Sequence, residues 1–285
     1  MQTPASVLVT GASSGIGLAT ARILSRSGFR VFSGVRKPTG TLESLTYREV
    51  ALDVTDPASI AAARRTVESQ LDGGGLFAVI NNAGVADIRP LEFTPLDQFR
   101  SVFDVNVFGV VAVTQSFLPL LHQSSGRIIL IGSVGGMVTI PFGSALCASK
   151  HAIEAIADAW RLELRASGIR VTCIQPASIN SGSAEKLAAQ TEKTIESLSL
   201  EGRSRYAAKM RHFMKVTLAS ETAGSPPEVV ALAVLKILRQ RNPPARALVG
   251  KHSHLLKFLA RYLPDPIRDR LFQKLFLDVP SRPGT

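Results

Sequence analysis

A doubly wound α/β domain, with a mostly parallel sheet covered by helices on both faces, is the fold predicted for this 285-residue sequence. Three observations predict it. Short β-branched runs alternate with longer segments of helical spacing; a glycine-rich turn joins the first run to the first helix; and 45% hydrophobic with 19% charged residues suits one packed core. Strands separated by helices call for parallel pairing, because the connecting helices must cover the faces of the sheet.

Strand-like runs fall at Val7–Val9, Val31–Val35, Ala78–Ile80, Ile128–Ile131 and Val171–Ile174, with Ala245–Val249 as a late addition. Helical spacing is clearest over Gly17–Ser27, Ala58–Gln70, Asp97–Leu121 and Ala145–Ser167, with Gly28 and Gly168 as stops. The polar stretch of about 181–223 breaks this rhythm and reads as a helical lid inserted over the C-terminal edge of the sheet, where open α/β sheets bind ligands. One domain is therefore expected, its core at about 5–180 plus 225–250. The tail, about 251–279, sets Leu255, Leu256, Phe258, Leu259, Tyr262 and Leu263 beside Lys257 and Arg261, then repeats that character around Phe272 and Phe276. Pro264 and Pro266 split it into two amphipathic helices, expected to pack on the domain or close a substrate mouth in preference to meeting a membrane surface or a partner.

The glycine turn is Thr10-Gly11-Ala12-Ser13-Ser14-Gly15-Ile16-Gly17, placed directly between a strand and a helix. Gly11 permits the sharp turn, Gly15 lets backbone approach a pyrophosphate, and Gly17 permits close helix packing, with the helix N-terminus facing the negative charge. The strand-to-helix context makes this a dinucleotide site. At the end of the second strand stand Val35, Arg36 and Lys37, where an unmodified ribose would be met by a carboxylate. Arg36 suits a 2′-phosphate through charge-assisted hydrogen bonds, so NADP(H) is expected.

Together with Asp53-Val54, Asn81-Asn82-Ala83-Gly84, Asn106, Ser133 and Lys150, this turn resembles the short-chain dehydrogenase/reductase family over about residues 5–180. The stretch Gly126 to Lys150 looks similar to the 17β-hydroxysteroid dehydrogenase and retinol dehydrogenase branches. The resemblance implies a single Rossmann-type domain and a homodimer or homotetramer joined through the two long helices. It implies that Ser14 and Arg36 contact the adenosine phosphate, with Ser13 and Ile16 also at the cofactor, that Asp53 and Val54 hold the adenine, and that Asn82, Ala83 and Gly84 lie beside the cofactor. Lys150 would bind the nicotinamide ribose, Asn106 would support a water-linked proton path, and Ser133 would bind the substrate oxygen.

The family's proton-transferring tyrosine lies four residues before the lysine, and that position here is Leu146. A leucine neither donates a proton to a carbonyl nor removes one from an alcohol, and losing a positioned acid typically costs about 10²–10⁴-fold in rate. Cys147 points about 100° away on a helix. His151 lies in another direction again, and Tyr206 reaches the site only if the lid folds over it. Ser133 and a water held through Asn106 and Lys150 remain as donors.

Cys147 and Cys173 are the only cysteines, so no disulfide framework is expected and a reducing cytoplasm fits. The first residues lack a basic region followed by a long apolar stretch, and no run of 18 apolar residues occurs, so neither secretion nor membrane spanning is expected. The net charge of +11 is concentrated in residues 181–285, which carry 18 Lys or Arg against 9 Asp or Glu. It reads as a solvated surface, without the aromatic or helix-turn-helix pattern of a nucleic-acid binder. No metal is called for. Three functions follow: an NADP(H)-dependent oxidoreductase for an apolar carbonyl or alcohol with altered proton transfer, a reductase of iminium or activated-alkene acceptors, or an NADP(H)-binding protein without turnover.

Overall fold

The computed structural model describes residues 4–40, 44, 46–71 and 73–279. Seven strands form one sheet in the order β3-β2-β1-β4-β5-β6-β7, every pair parallel: β1 (Ser6–Thr10), β2 (Arg30–Val35), β3 (Tyr47–Ala51), β4 (Ala78–Asn81), β5 (Arg127–Ile131), β6 (Arg170–Pro176) and β7 (Arg246–Val249). The order reverses at β1, whose neighbours are β2 and β4, so the crevice beyond the carboxyl ends of β1 and β4 is where such a sheet receives a ligand.

Helices cover both faces. On one, α2 (Pro57–Glu68), α4 (Gly109–Ser124) and α5 (Ser144–Glu163) bury Ile60, Phe117 and Ile153 against Leu8, Val79 and Ile128. On the other, α1 (Gly15–Arg26) and α8 (Glu228–Arg239) bury Leu24 and Val234 against Val7, Val9 and Ile80. Alternate residues of β1 thus enter opposite cores, and all five of its residues are buried. Asp56 opens α2 by accepting from the Ala58 N–H (2.9 Å), a cap that typically stabilises by about 1 kcal/mol.

The expected Asp97–Leu121 helix is observed as α3 (Leu96–Phe103), a π turn over Asp104–Phe108, and α4. The run Leu96–Ser124 is long and apolar enough to cross a membrane, but half of its most apolar window is buried, and Val113, Phe117 and Leu121 lie in the core. It is a core helix that takes one extra residue into a π turn. Strand β3 and helix α8 go beyond the sequence-based elements.

The lid consists of α6 (Ser183–Ser197) and α7 (Leu200–Thr222), packed over the loops after β4 and β5 through Ile88, Phe93, Ile140 and Phe142. The tail forms α9 (Ser253–Tyr262), α10 (Asp265–Phe272) and a π turn over Gln273–Leu277. The break falls at Leu263–Pro264; Pro266 sits in the first turn of α10, where its missing N–H would have no helical partner.

Candidate active site

Strand β1 delivers the glycine turn to the switch point, and the turn is held by close backbone contact. At Gly11 (φ +63°) an added Cβ would stand 2.7 Å from the Ala83 Cα; at Gly17 it would stand 2.3 Å from the Gly11 carbonyl oxygen. Neither position admits a side chain. Asn82 fastens the turn: its Nδ2 donates to the carbonyls of Thr10 (2.9 Å) and Gly11 (3.1 Å), while Thr10 Oγ1 accepts from the backbone N–H groups of Asn82 and Ala83 (both 3.0 Å). The N-cap of α1, Ser14, makes no side-chain cap bond, and the first turn carries no acidic residue. Free N–H groups at a helix start without a competing carboxylate suit an anion.

A cleft of about 430 Å³ opens along this turn. Gly11, Ser13, Ser14, Gly15, Ile16, Gly17, Arg36, Asp53, Val54, Asn82, Ala83 and Gly84 all line it, so these sequence-predicted cofactor residues converge on one surface. The Asp53 carboxylate accepts from the backbone N–H (2.9 Å) and hydroxyl (2.7 Å) of Thr55, which hold its pKa below the usual carboxylate range, with the nearby Arg36 charge adding to the effect. Arg36 itself is exposed at the end of β2. The cradle, the free helix N-terminus and the terminal arginine fit a phosphorylated dinucleotide. Ser181, Gly182, Ser183 and Lys186, at the start of α6, close the far wall. Sequence reasoning assigned them only to the lid; a Ser-Gly-Ser helix start with a lysine one turn on is the weak signal that could have marked them.

Lys150 stands beside Gly84, on the other side of the cleft's lining. Its Nζ donates to the Ile131 carbonyl (2.8 Å), and an added Cβ on Gly84 would lie 3.9 Å from Nζ and 3.3 Å from Asn106 Oδ1, so Gly84, Asn106 and Lys150 meet. Burial pushes the Lys150 ammonium down to about 8. Asn106, in the π turn, spends both amide protons on the Val85 carbonyl (2.9 Å) and Ser149 Oγ (3.0 Å), and its Oδ1 accepts from the Val85 N–H (2.8 Å). Ser149 passes its own proton to the Leu146 carbonyl (2.7 Å), so the Asn106 side chain braces α5 and the loop after β4. Ser133 caps a short 3-10 turn, its Oγ accepting from the Gly135 N–H (2.9 Å).

Leu146 lies in a second cleft, of about 560 Å³, with Val85, Val102, Val105 and Leu187 among its apolar walls. Val85, Val105, Ser183 and Lys186 line both clefts, so the two share a boundary. Asp87, Lys186 and Glu221 are the titratable groups on the Leu146 side, and burial pushes the Glu221 carboxyl up. The other candidate donors are engaged elsewhere. The Cys147 thiol is buried, which raises its pKa; His151 Nδ1 donates to the Cys147 carbonyl (2.9 Å) and the ring lines a separate cavity beneath α10; Tyr206 donates its hydroxyl to Glu92 (2.7 Å).

The short chain dehydrogenase family model matches residues 5–192. Across 97% of its length the chain is 32% identical to estradiol 17-beta-dehydrogenase 2 of Mus musculus, covering 76% of that protein. It is 34% identical to the uncharacterized oxidoreductase YbbO of Escherichia coli strain K12, covering 94% of each. Its fold matches a short chain dehydrogenase from Burkholderia cenocepacia solved in complex with NADP, at a TM-score of 0.70 and 24% identity over 96% of this chain and 99% of that one.

Proposed function

We propose that this chain, which belongs to the short-chain dehydrogenase family, is an NADP(H)-dependent oxidoreductase for an apolar carbonyl or alcohol, with a proton path that bypasses the position of Leu146. The observation that carries the reading is the shared boundary of the two clefts: a glycine cradle fit for a dinucleotide adjoins a largely apolar space walled by Leu146. The Burkholderia cenocepacia structure holds NADP on the same fold, and Arg36 provides the charge that a 2′-phosphate needs.

Bound NADP(H) supplies or accepts hydride. The residues of this chain have the remaining tasks. Asn82 and Thr10 fix the turn, Arg36 selects the phosphorylated ribose, and the apolar walls around Leu146 hold the substrate and exclude water. Charge developing on a substrate oxygen needs a donor or a positive field. Lys150 supplies the field while protonated, and Ser133 or a water beside Lys150 supplies the proton. A second reading, cofactor binding without turnover, is favoured by the engagement of His151 and Tyr206 away from Leu146.

NADPH consumption across apolar ketones, aldehydes and imines, by the natural chain and by Leu146→Tyr, separates these readings. Turnover of ketones by the natural chain, raised in Leu146→Tyr, is expected. Tight NADPH binding with no turnover by either protein would establish the binding-only reading. Turnover of imines alone would move the chemistry to activated acceptors.

A further inference from the structure

The two tail helices turn apolar stripes toward solvent. On α9, Leu255, Phe258 and Tyr262 follow i, i+3, i+7 spacing and are 54%, 53% and 66% exposed; beyond Pro264, Ile267, Leu271 and Leu275 follow i, i+4, i+8 spacing and are 55%, 41% and 47% exposed. The Phe258 and Tyr262 rings lean together at 5.4 Å. Other residues face inward: Phe272 is buried and Leu256, Leu259 and Phe276 are half-buried. A helix on a soluble domain turns its apolar stripe to the core and its charges to water. These helices have an apolar inner side and a second apolar stripe outside.

The charges that flank those stripes are mostly positive. Residues 251–279 hold six Lys or Arg against three Asp, and Arg268 is paired with Asp265 at 2.6 Å. Lys257 and Arg261 on α9, and Arg270 and Lys274 beside the second stripe, make no ion pair among the described residues. A second copy seated on this face by twofold symmetry would set one mostly positive patch against another, a like-charge juxtaposition that opposes pairing. An anionic lipid surface complements both the charge and the apolar stripes.

We propose that α9 and α10 form a peripheral membrane anchor that lies in the surface of an anionic bilayer. Leu255, Phe258 and Tyr262, with Ile267, Leu271 and Leu275, enter the acyl boundary, and Lys257, Arg261, Arg270 and Lys274 meet the phosphates. The inner side of the anchor adjoins the lid: Phe276 packs on Phe213 of α7 (5.4 Å), and Phe213 packs on Phe142 (5.7 Å) in a cluster that includes Leu187, a wall of the Leu146 cleft. The anchor thus places the apolar cleft beside a reservoir of apolar substrate. That last step rests on the proposed function, whereas attachment does not.

Vesicle flotation of the full chain tests attachment, using phosphatidylcholine alone and an equal mixture with phosphatidylglycerol. The chain is expected to float with the mixed vesicles, to stay behind with the neutral ones, and to float less in high salt. The triple variant Leu255→Ser, Phe258→Ser, Tyr262→Ser changes exposed side chains; with thermal midpoint and NADPH affinity retained, its lipid partition is expected to fall at least about tenfold. Lys257→Glu with Arg261→Glu should abolish the preference for the anionic vesicles. Absence of flotation with both lipids, equal flotation with both, or a dimer dispersed by the triple variant without any lipid binding would each overturn the proposal. Flotation without turnover of any apolar substrate would uphold the anchor and sink the proposed reaction instead.

Discussion

The two ends of the central crevice rest on different kinds of support. At the cofactor end the determinants are backbone: the turn at Gly11 and Gly17, the free N-terminus of α1, and the bonds from Asn82 to two carbonyls. At the other end, on the proposed reading, one side-chain position decides the chemistry, and Leu146 occupies it. Backbone determinants come as a set, since the sheet order that places β1 beside β4 also places the turn and Asn82 in register. A proton donor has no such backing. Its loss leaves Ser149, Asn106 and Lys150 tied to their neighbours and the helix intact. Binding and proton transfer are therefore separable in this architecture.

That contrast can be broken or sharpened by substitution. The largest effect belongs to the sparse end: Leu146→Tyr should raise ketone turnover by about 10²–10⁴-fold in steady-state assays, the usual contribution of a positioned acid. A rise below tenfold would mean that proton transfer already has a competent route. Next comes the cradle. Gly17→Ala drives a methyl against the Gly11 carbonyl and Asn82 Nδ2, and should weaken NADPH binding roughly 10–100-fold, read by fluorescence titration, from the ~1–3 kcal/mol typical of overpacking. Unchanged affinity would show the turn to be softer than its contacts imply. Arg36→Ala should cut the preference for NADPH over NADH by about tenfold, with NADH affinity unaltered, since an exposed charge-assisted contact contributes at the low end of its range.

A last effect, on stability and not on binding or turnover, concerns Lys150 beside Gly84. Its pKa falls from an ordinary 10.5 to about 8 through burial, so between those values the folded chain binds fewer protons than the unfolded one. Its penalty is complete below about pH 8 and disappears as pH rises to 10.5, so this group makes stability increase with pH across that window. Urea unfolding of the natural chain against Lys150→Met should show the natural chain gaining on the variant from pH 8 to pH 10. A constant gap would place the ammonium in better contact with water than its surroundings indicate.

The geometry of the glycine turn was legible because its requirements are local: three glycines, a strand before them and a helix after. The central strands were legible because burial on both faces makes them continuous β-branched runs, as in Val7–Val9 and Ile128–Ile131. Strand β3 was not. It is an edge strand, Tyr-Arg-Glu-Val-Ala, burying only Tyr47 and Val50, and it offers no apolar run or clean alternation. Ser181–Lys186 escaped for another reason: they reach the cleft through the packing of the lid, which the Ser-Gly-Ser start of α6 signals only weakly. In the tail, amphipathic spacing was visible, but the sequence could not say which apolar residues face inward. Phe272 and Phe276 realise the expected packing, while Leu255, Phe258 and Tyr262 do not.

The π turn at Asp104–Phe108 acts as a phase shifter within one helical rod. A regular α-helix advances about 100° per residue, so accommodating an extra residue there lets α3 and α4 present their buried faces independently, Val102 on one side of the shift and Val110, Val113 and Phe117 on the other. Shortening the segment by one residue would restore regular winding with α3 and α4 in the same relative phase, but it would remove the local bulge that carries Asn106. Asn106 would then leave Val85 and Ser149, and the brace between α5 and the wall shared by both clefts would go with it. The length of this turn, more than the identity of its apolar residues, keeps the two ends of the crevice in alignment.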